Sequence, residues 1–237
     1  MEHRVRVPDV VNGRSLCAFD KALHAAFADP VSRVVVLEGD DAAFCHGMDL
    51  AVASATDAPP DDDVKRFAAC LARVATAPKP VVAVVRGAAT GSGVGLAAAC
   101  DLVLASPGAT FALTELLFGL LPAVIAPYLL QRVSPARLRL WALGAATWTA
   151  AVALEAGLVD GMADEPRLTQ EVASWVRCLT RPPAEAVRRW KRQVSGPARA
   201  GAASGVSVTS DRLRDPAVQG SIRRFVENGE VPWLTPS

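Results

Sequence analysis

The sequence of 237 residues carries almost no net charge and is poor in side chains that bind metals. Its 25 Lys and Arg are balanced by 24 Asp and Glu, and the formal charge of +1 argues against a nucleic-acid or membrane-surface partner. Its five cysteines are scattered without a Cys-x-x-Cys pair, which argues against a zinc site and a disulfide framework. No run reaches the roughly 18 apolar residues of a membrane span. These absences predict a cytoplasmic protein without a bound metal.

What is present is a hydrophobic content of 51%, which predicts one globular domain with a sizeable core. Helices are predicted over SLCAFDKALHAAFAD and VKRFAACLARVATA, because their apolar residues recur at helical spacing. The stretch that precedes the second helix, ASATDAPPDDD at residues 53–63, is predicted to be a surface loop. Buried strands are predicted at VVVLEG, VVAVV, LVLAS and ATFAL.

Strands that alternate with helices predict a layered α/β core over residues 1–134. Beyond residue 135 the strand patterns stop, and helical spacing occurs in ARLRLWALG, TAAVALEAG, RLTQEVASWVRCL and PAEAVRRWKRQV. We therefore predict a helical carboxy-terminal region over residues 135–237.

Two glycine-containing turns follow predicted strands and are candidates for a site built from backbone amides. GSGVGL, from Gly91 to Leu96, lacks the last glycine of a dinucleotide-binding fingerprint, and no GK[ST] of a phosphate-binding loop follows. The other turn, in FCHGMDL, centres on Gly47. Glycines let the backbone approach a ligand closely, and N–H groups are free at a helix start. Two such turns at the ends of parallel strands predict an oxyanion hole that needs no side chain.

Three blocks of the sequence resemble, in order, the central blocks of the crotonase, or enoyl-CoA hydratase, superfamily: FCHGMDL, VVRGAATGSGVGLAAACDLVLAS and ATFALTELLFGLLPAVIAPYL. The resemblance extends from about residue 12 to the final VPW. TELLFGLLPA, ALEAGLVD and ENGEVPW are similar to the hydratase-like dehydratases of polyketide β-branching cassettes. Those enzymes act on 3-hydroxy-3-methylglutaryl groups held on an acyl carrier protein.

The resemblance implies a crotonase-like spiral of ββα turns, followed by a helical region that covers the acyl pocket and supports a homotrimer or hexamer. The resemblance implies no metal or redox cofactor. It implies a substrate that is an acyl thioester, carried on the phosphopantetheine of an acyl carrier protein or of CoA. Relatives carry an initial strand pair before the position of Val11, so the amino-terminal edge of this chain is expected to be reduced.

The catalytic groups of the family fall on Met48 and Ser92, for the two oxyanion-hole amides, and on Glu115, for the proton-transferring carboxylate. Two positions depart from the family pattern. Ser92 stands where glycine is usual, and Gly95 stands where water-adding hydratases carry a second glutamate. Glu115 has the alternative reading of an ordinary helix-start residue, but we favour catalysis, with a pKa raised by its apolar neighbours.

Further substrate contacts are predicted at His46, Gly47, Asp49, Gly91, Gly93 and Leu116. His46 is either an ordinary turn residue or a partner for the distal carboxylate of a glutaryl group, or a proton relay. For Asp49 we favour a structural role, since Asp is a common turn former. A structural cap or ion pair is expected at Asp101.

A basic run on a predicted helix, RRWKR, comprises Arg188, Arg189, Trp190, Lys191 and Arg192. It is either a solvated helix face or a contact for the phosphopantetheine phosphate or the carrier protein.

The predicted function is dehydration of 3-hydroxy-3-methylglutaryl-acyl carrier protein to 3-methylglutaconyl-acyl carrier protein, by way of a thioester enolate. Three alternatives remain open. The decarboxylase of the same cassettes has the same fold but does not require Glu115. An ordinary enoyl-CoA hydratase is disfavoured by Gly95. A non-catalytic carrier-binding subunit is the third alternative.

Overall fold

Two β-sheets form the core of the structure, a computed structural model that describes residues 2–55 and 61–231. The larger sheet has the strand order β1-β2-β4-β6-β9, and the smaller has the order β3-β5-β7-β8. The strands are β1 (Glu2–Arg6), β2 (Val34–Glu38), β3 (Ala43–Cys45), β4 (Val81–Val85), β5 (Ala88–Thr90), β6 (Leu102–Ala105), β7 (Thr110–Ala112), β8 (Thr147–Thr149) and β9 (Gly161–Met162).

The helices pack around these sheets, and they dominate the second half of the chain. They are α1 (Gly13–Ala28), α2 (Leu50–Ala55), α3 (Asp61–Ala75), α4 (Ser92–Ala99), a 3-10 helix (Glu115–Phe118), α5 (Ala126–Leu129), α6 (Pro135–Gly144), α7 (Ala150–Ala156), α8 (Arg167–Leu179), α9 (Ala184–Arg214) and α10 (Pro216–Asn228). Across the described ranges, no helix combines the length and the apolar character that crossing a bilayer requires.

The chain repeats one strand–strand–helix pattern as it winds through the core. β2 enters the larger sheet and β3 the smaller, and the helical segment α2–α3 follows; β4, β5 and α4 repeat the pattern, and β6 and β7 begin it again. The valine-rich strand β4 is buried along its whole length, as expected for a parallel strand covered on both faces. The predicted α/β fold, a crotonase-like ββα spiral with a carboxy-terminal helical region, is confirmed.

The first residues of the chain form a strand that the sequence analysis did not predict. β1 pairs in parallel with β2, and the guanidinium of Arg4 forms ion pairs with Glu2 and Glu38. A strand at a sheet edge with several charged side chains has no apolar run to reveal it. The amino-terminal edge that was expected to be reduced therefore carries a strand.

Two other boundaries differ from prediction. Strands continue beyond residue 135, where β8 pairs antiparallel with β7 and β9 pairs in parallel with β6. They are three and two residues long, which is too short for a periodic signal. The loop predicted over residues 53–63 is helical at both ends, since it contains the end of α2 and the acidic first turn of α3. Its residues 56–60 lie outside the described residues.

A buried lysine attaches α9 to the core. Lys191 is 2% exposed, and its Nζ donates to the carboxylate of Asp101 at 2.5 Å. The same Nζ donates to the carbonyl oxygens of Val74 and Lys79 at 3.2 and 3.0 Å. Asp101 also accepts from the N–H of Val81 at 2.7 Å, so its predicted structural role is confirmed. The predicted contact of Lys191 with a carrier protein is wrong, because its ammonium group is satisfied inside the fold.

We expect Lys191→Met to lower the free energy of unfolding by about 2 to 3 kcal/mol, because the carboxylate of Asp101 loses its cation. The effect is at the low end for buried pairs, since the Asp101 side chain is 31% exposed. Chemical denaturation followed by circular dichroism measures it. Arg189→Met, at a side chain that is 80% exposed, is the matched control and should cost less than about 0.5 kcal/mol. Equal effects of the two substitutions would contradict the attachment role.

Candidate active site

The carboxyl ends of three parallel strands meet at one cleft. β3, β5 and β7 are hydrogen-bonded neighbours in the smaller sheet, so the segments that follow them leave it at the same edge. Those segments are the turn at Gly47, the turn at Gly91 and the 3-10 helix that begins at Glu115. All three line a cleft whose empty volume, including its open mouth, is about 930 Å³.

The first turn leaves the backbone N–H of Met48 without a hydrogen-bond partner in the part of the chain that the structure describes. Gly47 has a φ of +92°, which favours glycine, and a β-carbon there would lie 2.8 Å from the carbonyl oxygen of Thr90. The same β-carbon would lie 3.6 Å from the backbone nitrogen of Ser92, so the two turns are in contact. The N–H of Met48 donates to no described residue, and Met48 lines the cleft.

The second turn presents the amide of Ser92 at the start of α4. First-turn N–H groups have no partner within a helix, and the N–H of Ser92 donates to no other described residue. Ser92 is 9% exposed and lines the cleft with Gly91. Gly93 does not line it, contrary to prediction. A β-carbon at Gly93 would lie 2.4 Å from the carbonyl oxygen of Cys45, so this glycine allows α4 to pack closely on β3.

Glu115 brings a carboxylate to the same cleft. Its Oε2 is buried and has no hydrogen-bond partner in the described chain, although the residue as a whole is half-buried. A β-carbon at Gly91 would lie 3.2 Å from its Oε1, which places the carboxylate beside the second turn. Burial raises the pKa of Glu115 to about 7, and hydrogen bonds from the backbone N–H groups of Thr114 and Glu115 oppose this in part. A carboxyl group with this pKa can take up and return a proton near neutral pH.

A hydrocarbon side chain fills the space beside Gly95, where a second carboxylate would begin. A β-carbon at Gly95 would lie 2.2 Å from Cγ2 and 2.8 Å from Cβ of Ile125. Ile125 is 3% exposed, so it cannot move aside without disturbing a packed interior. At the position of the missing glutamate, the space is therefore occupied by a buried side chain from a distant part of the sequence. No local sequence pattern reveals this contact.

The remaining predicted substrate contacts have different surroundings. His46 lines the cleft and is exposed. Asp49 also lines it, but its carboxylate accepts from Nδ2 of Asn12 at 3.0 Å and from the N–H of Val52 at 3.2 Å, in agreement with the favoured structural role. Leu116 is not among the residues that line the cleft, so the structure does not bring it to the predicted contact.

Residues that the sequence did not single out form the inner wall of the cleft. Val64 and Phe67 come from α3, and Thr209 comes from α9. The Thr209 hydroxyl is buried without a partner in the described chain. None of the described lining residues is Lys or Arg, and nowhere in the described ranges do three His, Cys, Asp or Glu side chains group in a metal-binding arrangement. The wall therefore suits an apolar chain with few polar atoms.

The exposed part of the basic run lies apart from this cleft. Arg188 and Arg189 pair with a neighbouring glutamate at 2.7 and 2.8 Å, Trp190 is 66% exposed, and Arg192 is exposed. At a rise of 1.5 Å per residue, Trp190 is about 28 Å from Thr209 along α9. The structure does not bring the run to the cleft of its own chain, and contact of its exposed residues with a carrier stays a prediction.

Comparison with known proteins agrees with this arrangement. A family model described as enoyl-CoA hydratase/isomerase matches residues 11–236. The chain therefore belongs to the enoyl-CoA hydratase/isomerase family.

Individual relatives include polyketide-pathway proteins. The bacillaene synthase dehydratase PksH of Bacillus subtilis (strain 168) is 28% identical over 210 residues, which cover 84% of this chain and 79% of the relative. The crystal structure of a Bacillus subtilis protein described as a polyketide biosynthesis enoyl-CoA hydratase superposes with a TM-score of 0.86, over 94% of this chain and 90% of that chain, at 25% identity. A structure from Mycobacterium avium paratuberculosis K-10, described as an enoyl-CoA hydratase, superposes with a TM-score of 0.84 over 99% and 94%, at 24% identity.

We expect Glu115 to make the fold less stable as the pH rises. Its pKa is about 7 in the folded state against an ordinary value of 4.5 for a glutamate, so the folded state holds the proton more tightly than the unfolded chain does. The favourable contribution is complete below about pH 4.5 and is lost as the pH rises through about 7. The stability of Glu115→Gln relative to the wild type should therefore rise as the pH increases from about 4.5 to 7, and above pH 7 the gain should be on the order of 3 kcal/mol. Denaturation at several pH values tests this, and the exposed Glu171→Gln control should show no such gain.

We expect Gly95→Glu to lower the free energy of unfolding by about 3 kcal/mol or more, because it forces a side chain into Ile125 and buries a carboxylate. Gly108→Glu is the matched control, since a β-carbon there would meet no atom within 4 Å. The double variant Gly95→Glu/Ile125→Gly should lose less free energy of unfolding than the two single variants lose together, because Ile125→Gly removes the clash. Strict additivity in thermal denaturation would show that Ile125 is not the obstacle.

Proposed function

We propose that the chain dehydrates a 3-hydroxyacyl thioester carried on a phosphopantetheine arm. The observation that carries the proposal is the carboxylate of Glu115, whose buried Oε2 has no hydrogen-bond partner among the described residues and whose pKa is raised to about 7. It lines the same cleft as Met48 and Ser92, whose backbone N–H groups donate to no described residue. Enolate chemistry at a thioester requires these two kinds of group, a proton acceptor and fixed donors for the oxygen. The family match and a relative named as a dehydratase support the same reaction class.

In the proposed reaction, the thioester oxygen accepts hydrogen bonds from the N–H groups of Met48 and Ser92. Glu115 takes a proton from C2, and the electron pair of the C–H bond moves onto the thioester oxygen as an enolate. The pair returns to form the C2=C3 double bond while the C3–O bond breaks, and the leaving hydroxyl takes the proton from Glu115. The products are an enoyl thioester and water. Each amide donor is expected to contribute about 3 kcal/mol to the stabilisation of the enolate.

A single carboxylate is sufficient for this elimination. The proton that leaves C2 and the proton that joins the hydroxyl are handled by the same group on one face of the substrate, which makes the elimination syn. The space beside Gly95 holds Ile125, so a glutamate at this position, which water-adding hydratases use as their second carboxylate, is missing from this site. It is this departure from the pattern of the water-adding hydratases, and not the single carboxylate as such, that supports the dehydratase hypothesis, because one group that catalyses the elimination also catalyses its reverse.

We further propose 3-hydroxy-3-methylglutaryl-acyl carrier protein as substrate and 3-methylglutaconyl-acyl carrier protein as product. PksH of Bacillus subtilis, described as a bacillaene synthase dehydratase and in its crystal structure as a polyketide biosynthesis enoyl-CoA hydratase, supports an acyl thioester of polyketide biosynthesis as the substrate class. Among the described residues that line the cleft, His46 alone has a side chain that can carry positive charge, and it is exposed. A distal carboxylate directed to the solvent side of the cleft can pair with it. The steps require no metal or redox cofactor.

The proposal includes assembly as a homotrimer or hexamer in the cytoplasm. Leu140 and Leu143 on α6 are 73% and 70% exposed, and an interface between copies would remove this apolar surface from water. All five cysteines are free, which fits a reducing compartment.

Mass spectrometry of hydroxymethylglutaryl-loaded carrier protein tests the reaction directly. The wild type should remove one water, and Glu115→Gln should lower kcat about 100-fold or more while thioester binding survives, because the two amides remain. The value of kcat/KM should fall as the pH drops below about 7, since the base is then protonated. Glu171→Gln, on the surface, is the matched control and should be fully active.

Other outcomes of the same assay identify the alternatives. Loss of carbon dioxide from the glutaconyl thioester, without dehydration, would identify a decarboxylase. Faster water addition to crotonyl-CoA than to the carrier-bound substrate would identify an ordinary hydratase. Binding of the loaded carrier without any reaction would identify a non-catalytic subunit.

A further inference from the structure

The turn that presents the Met48 amide is held from behind by the segment at residues 9–12. The N–H of His46 donates to the carbonyl oxygen of Asp9 at 2.7 Å. The N–H of Val11 donates to the carbonyl oxygen of Gly47 at 2.7 Å, and the N–H of Asp49 donates to the carbonyl oxygen of Val11 at 2.9 Å. Val11 and Met48 thus form a parallel bridge. Because the groups on both sides of Met48 are bonded to Val11, the N–H of Met48 is left for the cleft.

The side chain of Asn12 adds a clamp to this backbone pairing. Its Nδ2 donates to Oδ2 of Asp49 at 3.0 Å, and Oδ1 of Asp49 accepts from the N–H of Val52 at 3.2 Å. The other end of the Asn12 amide, Oδ1, accepts from the N–H of Ser15 at 2.9 Å and caps α1. One amide therefore joins the start of a 16-residue helix to the residue that follows Met48.

An amide donor stabilises an enolate only if it is oriented before the charge develops, and small displacements weaken it strongly. Gly47 and Asp49, which flank Met48, are both bonded to Val11, and Asp49 is held in addition by Asn12. We propose that Asn12 is a positioning residue for the oxyanion donor at Met48, acting through Asp49. The inference rests on the proposed function, because it assigns to Asn12 the task of orienting a donor toward the thioester oxygen.

The sharpest test is an exchange of the two side chains. Asn12→Asp keeps the cap on α1, since Asp is an equally good cap, but it replaces the donor to Asp49 with a second carboxylate. We expect kcat to fall about 10-fold or more, part of the loss for a deleted oxyanion donor, while KM changes by less than about 3-fold. In Asn12→Asp combined with Asp49→Asn, the amide at 49 donates to the carboxylate at 12, and both capping bonds are preserved. The double variant should recover to within about 3-fold of wild-type kcat.

A second measurement detects the hydrogen bonds from the oxyanion-hole amides without any turnover. Acetyl-CoA labelled with ¹³C at the carbonyl has no C3 hydroxyl, so it binds without dehydration. We expect the infrared carbonyl stretch of the bound thioester to lie below its value in water, because hydrogen bonds polarise the C=O bond. This decrease in frequency should be smaller in Asn12→Asp, and in the double variant it should regain its wild-type size. A purely structural role would change the unfolding midpoint and leave this frequency where it is.

The outcomes separate this inference from the proposed function. If the wild type dehydrates no 3-hydroxyacyl thioester but the carbonyl frequency follows the pattern above, the proposed reaction fails and the role of Asn12 stands. If kcat and the carbonyl frequency of Asn12→Asp equal those of the wild type, the role of Asn12 is overturned. Failure of the exchanged pair to recover either value also overturns it. Should Asn12→Asp not fold, Asn12→Ser keeps a capping side chain that is too short to reach Asp49, and it should show the same two changes to a smaller extent.

Discussion

The parallel hydrogen-bond ladder of β3, β5 and β7 is the constraint on which the site depends. Neighbouring strands lie about 4.8 Å apart, so groups that follow their carboxyl ends can meet in one cleft. Met48, Ser92 and Glu115 are all placed in this way, although they are far apart in sequence. The glycines at 47 and 91 follow from the same constraint, because turns this close leave no room for a β-carbon at Gly47 and require positive φ at both positions.

The carboxy-terminal region completes the cleft through α9, a helix that is attached to the core at some distance from the cleft. Lys191 and Ser195 bond to the core near the amino-terminal end of α9, with the Ser195 hydroxyl donating to the carbonyl oxygen of Ala75 at 2.9 Å. Further along, Gly205 lets the helix lie against the backbone at Ala123. Thr209 then reaches the cleft wall one turn later. The shape of the cleft is thus determined partly by contacts formed far from it along the same helix.

The sequence alone was sufficient for features that have a local signal. Valine runs indicated the central strands, and glycine-containing turns with a family pattern indicated three positions that the structure brings to one cleft, Met48, Ser92 and Glu115. The RRWKR run misled at Lys191, since a basic helical run does not show which of its members faces inward. Asn12 and Ile125 carry no signal of their own. Their roles arise from contacts between elements that only the folded chain brings together.

The contact between Gly95 and Ile125 has a consequence for how such sites diverge. A glutamate at 95 requires a smaller residue at 125, and a smaller residue at 125 without that glutamate leaves an empty space in a packed interior. Either change alone produces a less stable chain, so each intermediate is at a disadvantage. In this chain, conversion of the site to one with a glutamate at 95 therefore needs paired changes at 95 and 125, and neither change is neutral when it comes first.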